Sequence, residues 1–420
     1  MTTSFFRHGL LGITAALALG SLTFGAELPV VKPEQVGLSA AKLDGAGQIV
    51  EDLIRSNRLA GATIAVVRHG KVAYFKAFGK RNIEAKTPMT EDTIFRIFSM
   101  SKGIATAGAL VLVDEGKLEL DAPVSKYIPE FKDPKVWSPE GVHPAKREPT
   151  VRDLMRHTAG LTYGGGEGEP DRQYRLAKIL DRDVDLQTMC AALGKIPLAY
   201  EPGTQWQYSV SVDVLGRVIE VASGMPFDEF LQKRIFTPLD MKDTGFYVPA
   251  EKASRFASSY FSDGKGGLKL QDAPGSSQYL TKPRFLSGGG GLVSTTRDYV
   301  RFIAMVQGAG KLHGVRILKP KTADLMTHNN LPDEAMPIRF GKELRDGVGF
   351  GLGFNVRVAS SDKWDPAGPV GEYGWGGAAS THYWVSPKDD LIVVTMEQTM
   401  PYAFMLEWAL KGPIYQAVKR

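Results

Sequence analysis

The chain has 420 residues, 43% hydrophobic and 23% charged, which is an ordinary globular composition large enough for one big or two intertwined domains. Its 46 glycines and 25 prolines follow no three-residue period, which excludes a collagen-like or wholly disordered chain. The net charge of +5 is spread through alternating signs, as in Asp181-Arg182-Asp183, so no basic block marks a nucleic-acid surface.

The first residues read as a leader. Arg7 and His8 precede an uncharged stretch from Gly9 to Ala26, closed by Glu27-Leu28-Pro29. This is the pattern of a signal peptide over 1–26 and predicts export to a periplasm or the medium. The other reading is a short N-terminal anchor; the stretch is glycine-interrupted and barely long enough to span a bilayer. No later apolar run is comparable, so no stable membrane insertion is expected once the leader is removed. The single cysteine, Cys190, forbids an intrachain disulfide, and its helical setting predicts a buried thiol. The seven histidines form no HExxH pair and no close cluster, so neither a metal nor a cofactor is expected.

In chain order, Ser39 caps a predicted helix whose apolar face is Leu43, Ala46, Ile49, Val50 and Leu53. Ala62–Val67 and Val72–Phe78 read as a hairpin. Gly103–Val113 has helix-compatible apolar spacing. From there to Gly290 the pattern changes to loops and short helices, at Val151–Arg156, Asp185–Leu193 and Val212–Ala222. Two aperiodic stretches, Tyr163–Asp171 and Ser262–Phe285, are expected to line or cover a site. Gly288–Gly291 reads as a flexible turn, because the lysine of a phosphate loop is missing. Thr381–Val385 and Leu391–Glu397 form a second hairpin, and Tyr402–Val418 an amphipathic helix interrupted at Gly412-Pro413. Strands and helices at both ends predict one layer built from residues 27–112 and 291–420, with a mainly helical insertion over 113–290. A cleft between the two parts is the expected site for a small molecule.

Three segments could carry chemistry. There is no G-x-S-x-G, but Ser99-Met100-Ser101-Lys102 opens the apolar helix. Ser99 then stands near a helix N-terminus, which favours negative charge, and Lys102 projects from the same face three residues on. That pairing suits a nucleophile sharing its proton with an amine. Tyr208, in Trp206-Gln207-Tyr208-Ser209-Val210-Ser211, could serve as base or proton relay. Tyr373-Gly374-Trp375-Gly376-Gly377-Ala378 leads into a strand, and its glycines would let main-chain N–H groups approach a substrate carbonyl. Taken singly, each also reads as something plainer: a cap with a solvated lysine, a packed core tyrosine, a glycine bulge.

Together, in this order, the three segments resemble the serine β-lactamase and penicillin-binding superfamily, and within its class C-like branch the family VIII carboxylesterases. Leu154–Leu161, Leu286–Thr296 and Phe350–Phe354 are similar too, so the resemblance runs from Val36 to Gln398. It implies an α+β fold of the β-lactamase/transpeptidase type, an antiparallel sheet flanked by helices. It also implies Ser99 as the acylated nucleophile, Lys102 and Tyr208 as the paired base and relay, and the N–H groups of Ser99 and Ala378 as an oxyanion hole. Trp375, Gly376, Gly377 and Val210 would contact substrate. His157 falls in a segment that is structural in the family, and His382 is not needed for a relay.

Departures from the family bear on substrate. Val210 stands where β-lactamases of this branch carry the asparagine of Tyr-x-Asn, and Trp375 stands where they carry the lysine of Lys-Thr-Gly. The site is thus expected to lose an amide and a cation and to gain an aromatic wall, joined by Trp206, Tyr373 or Tyr383. Gly103 replaces a proline common in these esterases, which affects the helix start alone. The implied activity is hydrolysis of short- to medium-chain carboxylic esters. A β-lactamase, a D-amino-acid peptidase, an acyltransferase and a non-catalytic cell-wall-binding protein are the alternatives. The oligomeric state is not readable.

Overall fold

The computed structural model describes residues 27–263 and 265–419, so the apolar leader lies outside the described residues. The two hairpins share one eight-stranded sheet. We number its strands in chain order: β1 Gly61–Arg68, β2 Lys71–Asn82, β3 Thr87–Pro88, β4 Val348–Phe350, β5 Asn355–Arg357, β6 Tyr373–Gly377, β7 Thr381–Ser386 and β8 Leu391–Met396. The spatial order is β4-β5-β6-β7-β8-β1-β2-β3, and each neighbouring pair is antiparallel. The two ends of the chain meet where β1 pairs with β8, from Thr63 opposite Met396 to Arg68 opposite Leu391.

Side-chain alternation dictates what must cover this sheet. On β1, Ala62, Ile64 and Val66 face one side and Ala65 and Val67 the other; on β8, Leu391 and Val393 alternate with Ile392 and Val394. All of these are buried, so both faces need cover. Helices Ala40–Arg55 and Met405–Ala417 pack together over the first face. Helix Thr296–Gln307 lies on the second, and Ser101–Asp114 belongs to the same apolar core. The antiparallel sheet flanked by helices and assembled from both chain ends is as the sequence predicts.

The segment between is mostly short helices, including Val151–Met155, Glu169–Leu176, Leu186–Leu193 and Ser211–Ser223. The last of these packs against Ser101–Asp114, which brings the turn holding Tyr208 next to the one holding Ser99. Three readings of the sequence need correction. The C-terminal helix runs unbroken through Pro413, because Leu410, Ile414 and Ala417 are anchored in the core on either side of it. Ser262–Phe285, expected to line or cover the site, gives none of its described residues to the cavity beside Ser99: Leu268–Asp272 pairs with Ser259–Ser262, and Asp272 and Ser277 bind the buried Arg96 guanidinium. Gly288 and Gly289 are buried and fixed, as described below.

One carboxylate organises the helical segment. Asp153 is buried and accepts from Arg147 Nη1 at 2.6 Å, Arg156 Nη2 at 3.0 Å, Thr158 Oγ1 at 2.8 Å and the Thr150 N–H at 2.9 Å. Burial alone would raise its pKa, but these donors outweigh it and bring the value down to about 2, against 3.8 for an unperturbed side chain. A folded-state value below the unfolded one gives stability that is present above pH 3.8 and lost as pH falls toward 2. Asp153→Asn should therefore lose about 2 kcal/mol of unfolding free energy at neutral pH, and the gap should shrink below pH 3.8 and be nearly gone at pH 2. Urea titrations of both proteins at the two pH values check this.

Candidate active site

The position of Ser99 starts with the backbone before it. Strand Ile94–Arg96 pairs with Val293–Thr295, and the Ile97 N–H donates to Leu292 O at 3.1 Å. The chain then turns at Phe98, whose φ of 40° lies in the left-handed region that a bulky side chain rarely adopts. Such strain persists where the surroundings over-determine it. Here they do. The Leu292 N–H donates to Ser101 Oγ at 3.1 Å, and Tyr299 Oη donates to Met100 O at 3.0 Å. Ser99 is left half-buried in the 3-10 turn Phe98–Met100, immediately before helix Ser101–Asp114.

Lys102 is fully buried, so its ammonium needs partners. Its Nζ donates to Ser99 Oγ at 3.2 Å and to Gly289 O at 2.5 Å, and sits 4.5 Å from the ring centre of Tyr208. It is also 5.5 Å from the ring centre of Tyr163, which places the start of the Tyr163–Asp171 stretch at the site. The countercharge comes from a residue the sequence reading missed. Asp213 is buried, accepts from the Gly289 N–H at 2.9 Å and from Ser287 Oγ at 2.5 Å, and is coupled electrostatically to Lys102. Burial pushes its carboxyl up, and the lysine charge opposes that rise. The glycine segment between them is rigid of necessity. A Cβ on Gly289 would come within 2.5 Å of Asp213 Oδ2.

Tyr208 is half-buried, and its hydroxyl accepts from Trp375 Nε1 at 3.2 Å. Rings surround it: His157 at 4.8 Å, Phe340 at 5.1 Å and Trp375 at 5.4 Å between centroids. His157 is therefore closer to the site than its segment suggests. Burial first, and the Lys102 charge second, hold its imidazole well below its usual pKa, so it is neutral; Nδ1 lies 3.3 Å from Ser209 Oγ. Strand β6 approaches from the other side. A Cβ on Gly377 would meet Ile97 O at 2.3 Å, so only glycine lets this strand lie against the Ser99 turn.

Ser99, Tyr208, Trp375, Gly376 and Ala378 share one cavity of about 360 Å3. Lys102 lies under it, hydrogen-bonded to Ser99. Phe340, Tyr402 and Phe404, unremarked in the sequence, complete its walls, together with Glu343 and Arg345. Trp206 joins the ring cluster through Tyr208 and Phe340. Tyr373 and Tyr383 do not: Tyr373 stacks on Phe354 and donates to Gln307, and Tyr383 packs on Tyr299. Val210 is buried at the start of helix Ser211–Ser223 and lines a neighbouring cavity beside Tyr163 and Arg175. The cation expected to be lost with Trp375 is supplied from elsewhere. Arg345 reaches Trp375 from a different segment, its Cζ 5.4 Å from the indole ring centre.

His382 lies on the opposite sheet face, 3.5 Å from Glu407. Cys190 is buried, and burial raises its thiol pKa, as the helix pattern predicts. Among the described residues, no group of three His, Cys, Asp or Glu side chains is placed to hold a metal, and no helix is long and apolar enough to cross a membrane.

This arrangement can be compared with known proteins. The model of the beta-lactamase family matches residues 46–410. The chain belongs to the beta-lactamase family. Protein Rv1367c of Mycobacterium tuberculosis is 36% identical over 369 residues, covering 86% of this chain and 90% of that one. Esterase EstB of Burkholderia gladioli is 33% identical over 385 residues, with the same coverage of 86% and 90%. Among solved structures, EstCE1, described as a hydrolase with promiscuous acyltransferase activity, superimposes with a TM-score of 0.75 at 26% identity, covering 89% of this chain and 99% of that one. The fold is thus of the β-lactamase/transpeptidase type, and the family VIII esterase branch suggested by the motifs is the fitting one.

Proposed function

We propose that the protein is a serine carboxylesterase acting on short- to medium-chain carboxylic esters through an acyl-enzyme on Ser99. The observation that carries this is the 3.2 Å hydrogen bond from a fully buried Lys102 ammonium to the half-buried Ser99 hydroxyl at an aromatic-walled cavity. In the reaction, Ser99 Oγ attacks the ester carbonyl as its single proton passes to the Lys102–Tyr208 pair, which enters the step one proton short of an ammonium and a neutral phenol together. The N–H groups of Ser99 and Ala378 hold the oxyanion. Tyr208 protonates the departing alcohol oxygen, and a water, activated by the same pair, releases the acyl group as an acid. The Gly289 carbonyl holds Lys102 Nζ, and Asp213 holds Gly289 through the Gly289 N–H. No step calls for a metal, so a chelator should leave the rate unchanged.

The ring-lined walls support esters over lactams, and EstB, named an esterase, supports the same choice. Acyl transfer to an alcohol is the second reading, favoured by the description of EstCE1. Export follows from the leader-like stretch Gly9–Ala26. A panel of p-nitrophenyl esters of increasing acyl length, run beside a chromogenic cephalosporin, tests the proposal. Efficient turnover of butyrate and hexanoate esters with slow cephalosporin opening is expected. Efficient cephalosporin hydrolysis with poor ester turnover would put the β-lactamase alternative ahead.

A further inference from the structure

Arg345 follows a small hairpin, in which Arg339–Phe340 pairs with Glu343–Leu344, and its side chain runs inward to the cavity that holds Ser99. The side chain is 7% exposed. Its Cζ lies 4.2 Å from the ring centre of Phe340, 5.0 Å from Trp364, 5.2 Å from Phe404 and 5.4 Å from Trp375. Ring faces stabilise a cation, yet they leave its N–H donors without acceptors. Nε donates to Glu343 Oε1 at 3.2 Å. Among the described residues neither Nη1 nor Nη2 makes a hydrogen bond or ion pair, and the buried Glu407 carboxylate acts on the guanidinium through its field alone, which leaves the planar fork open.

A buried guanidinium with an open fork suits a planar anion, above all a carboxylate taken through two parallel hydrogen bonds. Glu343 does not fill that role. It meets the Nε edge alone, and its side chain is 43% exposed, so solvent screens its charge. The position of Arg345 also indicates which half of a substrate it meets. Trp375, whose ring centre is 5.4 Å from its Cζ, donates to the Tyr208 hydroxyl, and Phe340 packs against both Arg345 and the Tyr208 ring. On the mechanism above, that hydroxyl serves the departing alcohol. A neutral alcohol half would leave buried donors unpaired, at a cost in binding.

We infer that Arg345 recognises a carboxylate on the alcohol half of the substrate, so that the preferred esters are those of hydroxy acids. This rests on the esterase reading and narrows it. Hydrolysis then splits the acyl C–O bond, adds water's hydroxyl to the acyl carbon and its proton to the alcohol oxygen, and releases a hydroxy acid from the Arg345 side of the cavity.

The test uses two aryl butyrates that differ in charge and little in shape, 4-(butanoyloxy)benzoate and 4-(butanoyloxy)benzamide. The ratio of their kcat/KM values is measured in the unaltered protein, in Arg345→Met and in Arg345→Lys. Comparing ratios cancels the intrinsic reactivity of the two esters. The ratio should fall about tenfold or more in Arg345→Met, mainly through KM of the charged ester, and Arg345→Lys should restore part of it. Glu343→Gln, at the cavity rim on the Nε edge, removes a partly screened negative charge that repels the substrate's carboxylate without occupying the fork, and should raise the ratio by less than Arg345→Met lowers it. Should Arg345→Met not fold, that variant decides alone. An unchanged ratio in Arg345→Met, or no rise in Glu343→Gln, overturns the inference while ester hydrolysis stands. Failure of the unaltered protein to hydrolyse either ester overturns the esterase reading itself.

Discussion

Replacing Ser99 with alanine should lower hydrolysis of p-nitrophenyl butyrate by at least ~10^4-fold and abolish labelling by a fluorophosphonate. The size follows from the chemistry, since the oxyanion donors and the cavity remain but no side chain forms the acyl-enzyme. The fold should barely notice. Ser99 is half-buried, and its hydroxyl accepts one bond from Lys102, whose Nζ keeps Gly289 O as a partner. A loss of no more than about 1 kcal/mol in unfolding free energy is expected, so activity and stability separate cleanly in one variant. Wild-type turnover in a folded Ser99→Ala protein would end the account.

The second large effect concerns Lys102 and Tyr208 together. Lys102→Met and Tyr208→Phe should each reduce kcat by ~100-fold or more, the usual range for lost proton transfer. Their combination should be scarcely worse than either alone, because groups that act as a unit are non-additive. The geometry gives this a particular form. Lys102 Nζ lies over the face of the Tyr208 ring while reaching Ser99, and Trp375 donates to the Tyr208 hydroxyl. Tyr208→Phe also strips Trp375 Nε1 of its acceptor, so a stability loss of about 1 kcal/mol accompanies the rate loss. Multiplicative losses in the double variant would mean that the two side chains serve separate steps. Near-normal turnover in Tyr208→Phe would reduce the tyrosine to a packed ring.

The sequence pattern reached the parts of this molecule that are set locally. The hairpins at both ends were legible because strand alternation and turn residues are neighbours in the chain, and β1 and β8 then share one sheet. Ser99 and Lys102 were legible for the same reason, three residues apart at a helix start. What stayed hidden is set by distant partners. Asp213 looks like one more helical aspartate until the Gly289 backbone is laid against it. Gly288–Gly291 reads as a flexible turn because glycine signals freedom and close approach alike, and no pattern separates the two. Pro413 signals a helix break, yet burial of Leu410 and Ile414 on either side outweighs one missing hydrogen bond.

Substrate-facing residues were the least legible. Trp375 and Val210 drew attention as departures from a motif, but Val210 turns toward a neighbouring cavity. Phe340 and Arg345 lie in Arg339–Gly347, a turn-rich stretch with no periodicity, and they gain meaning where the hairpin folds over Tyr208. A site can lose a cation at one position and receive it from another element, and sequence order says nothing about that exchange.

The central claim is that catalysis passes through a covalent acyl group on Ser99. Its most direct test is peptide-mapped mass spectrometry of the protein acid-quenched during turnover of p-nitrophenyl butyrate. The account predicts a butyryl group on the peptide that begins the Ser101–Asp114 helix, located at Ser99 by fragmentation and missing from Ser99→Ala. Turnover with the adduct on another residue, such as the buried neighbour Ser101, or steady hydrolysis with Ser99 never modified under any quench, would contradict it.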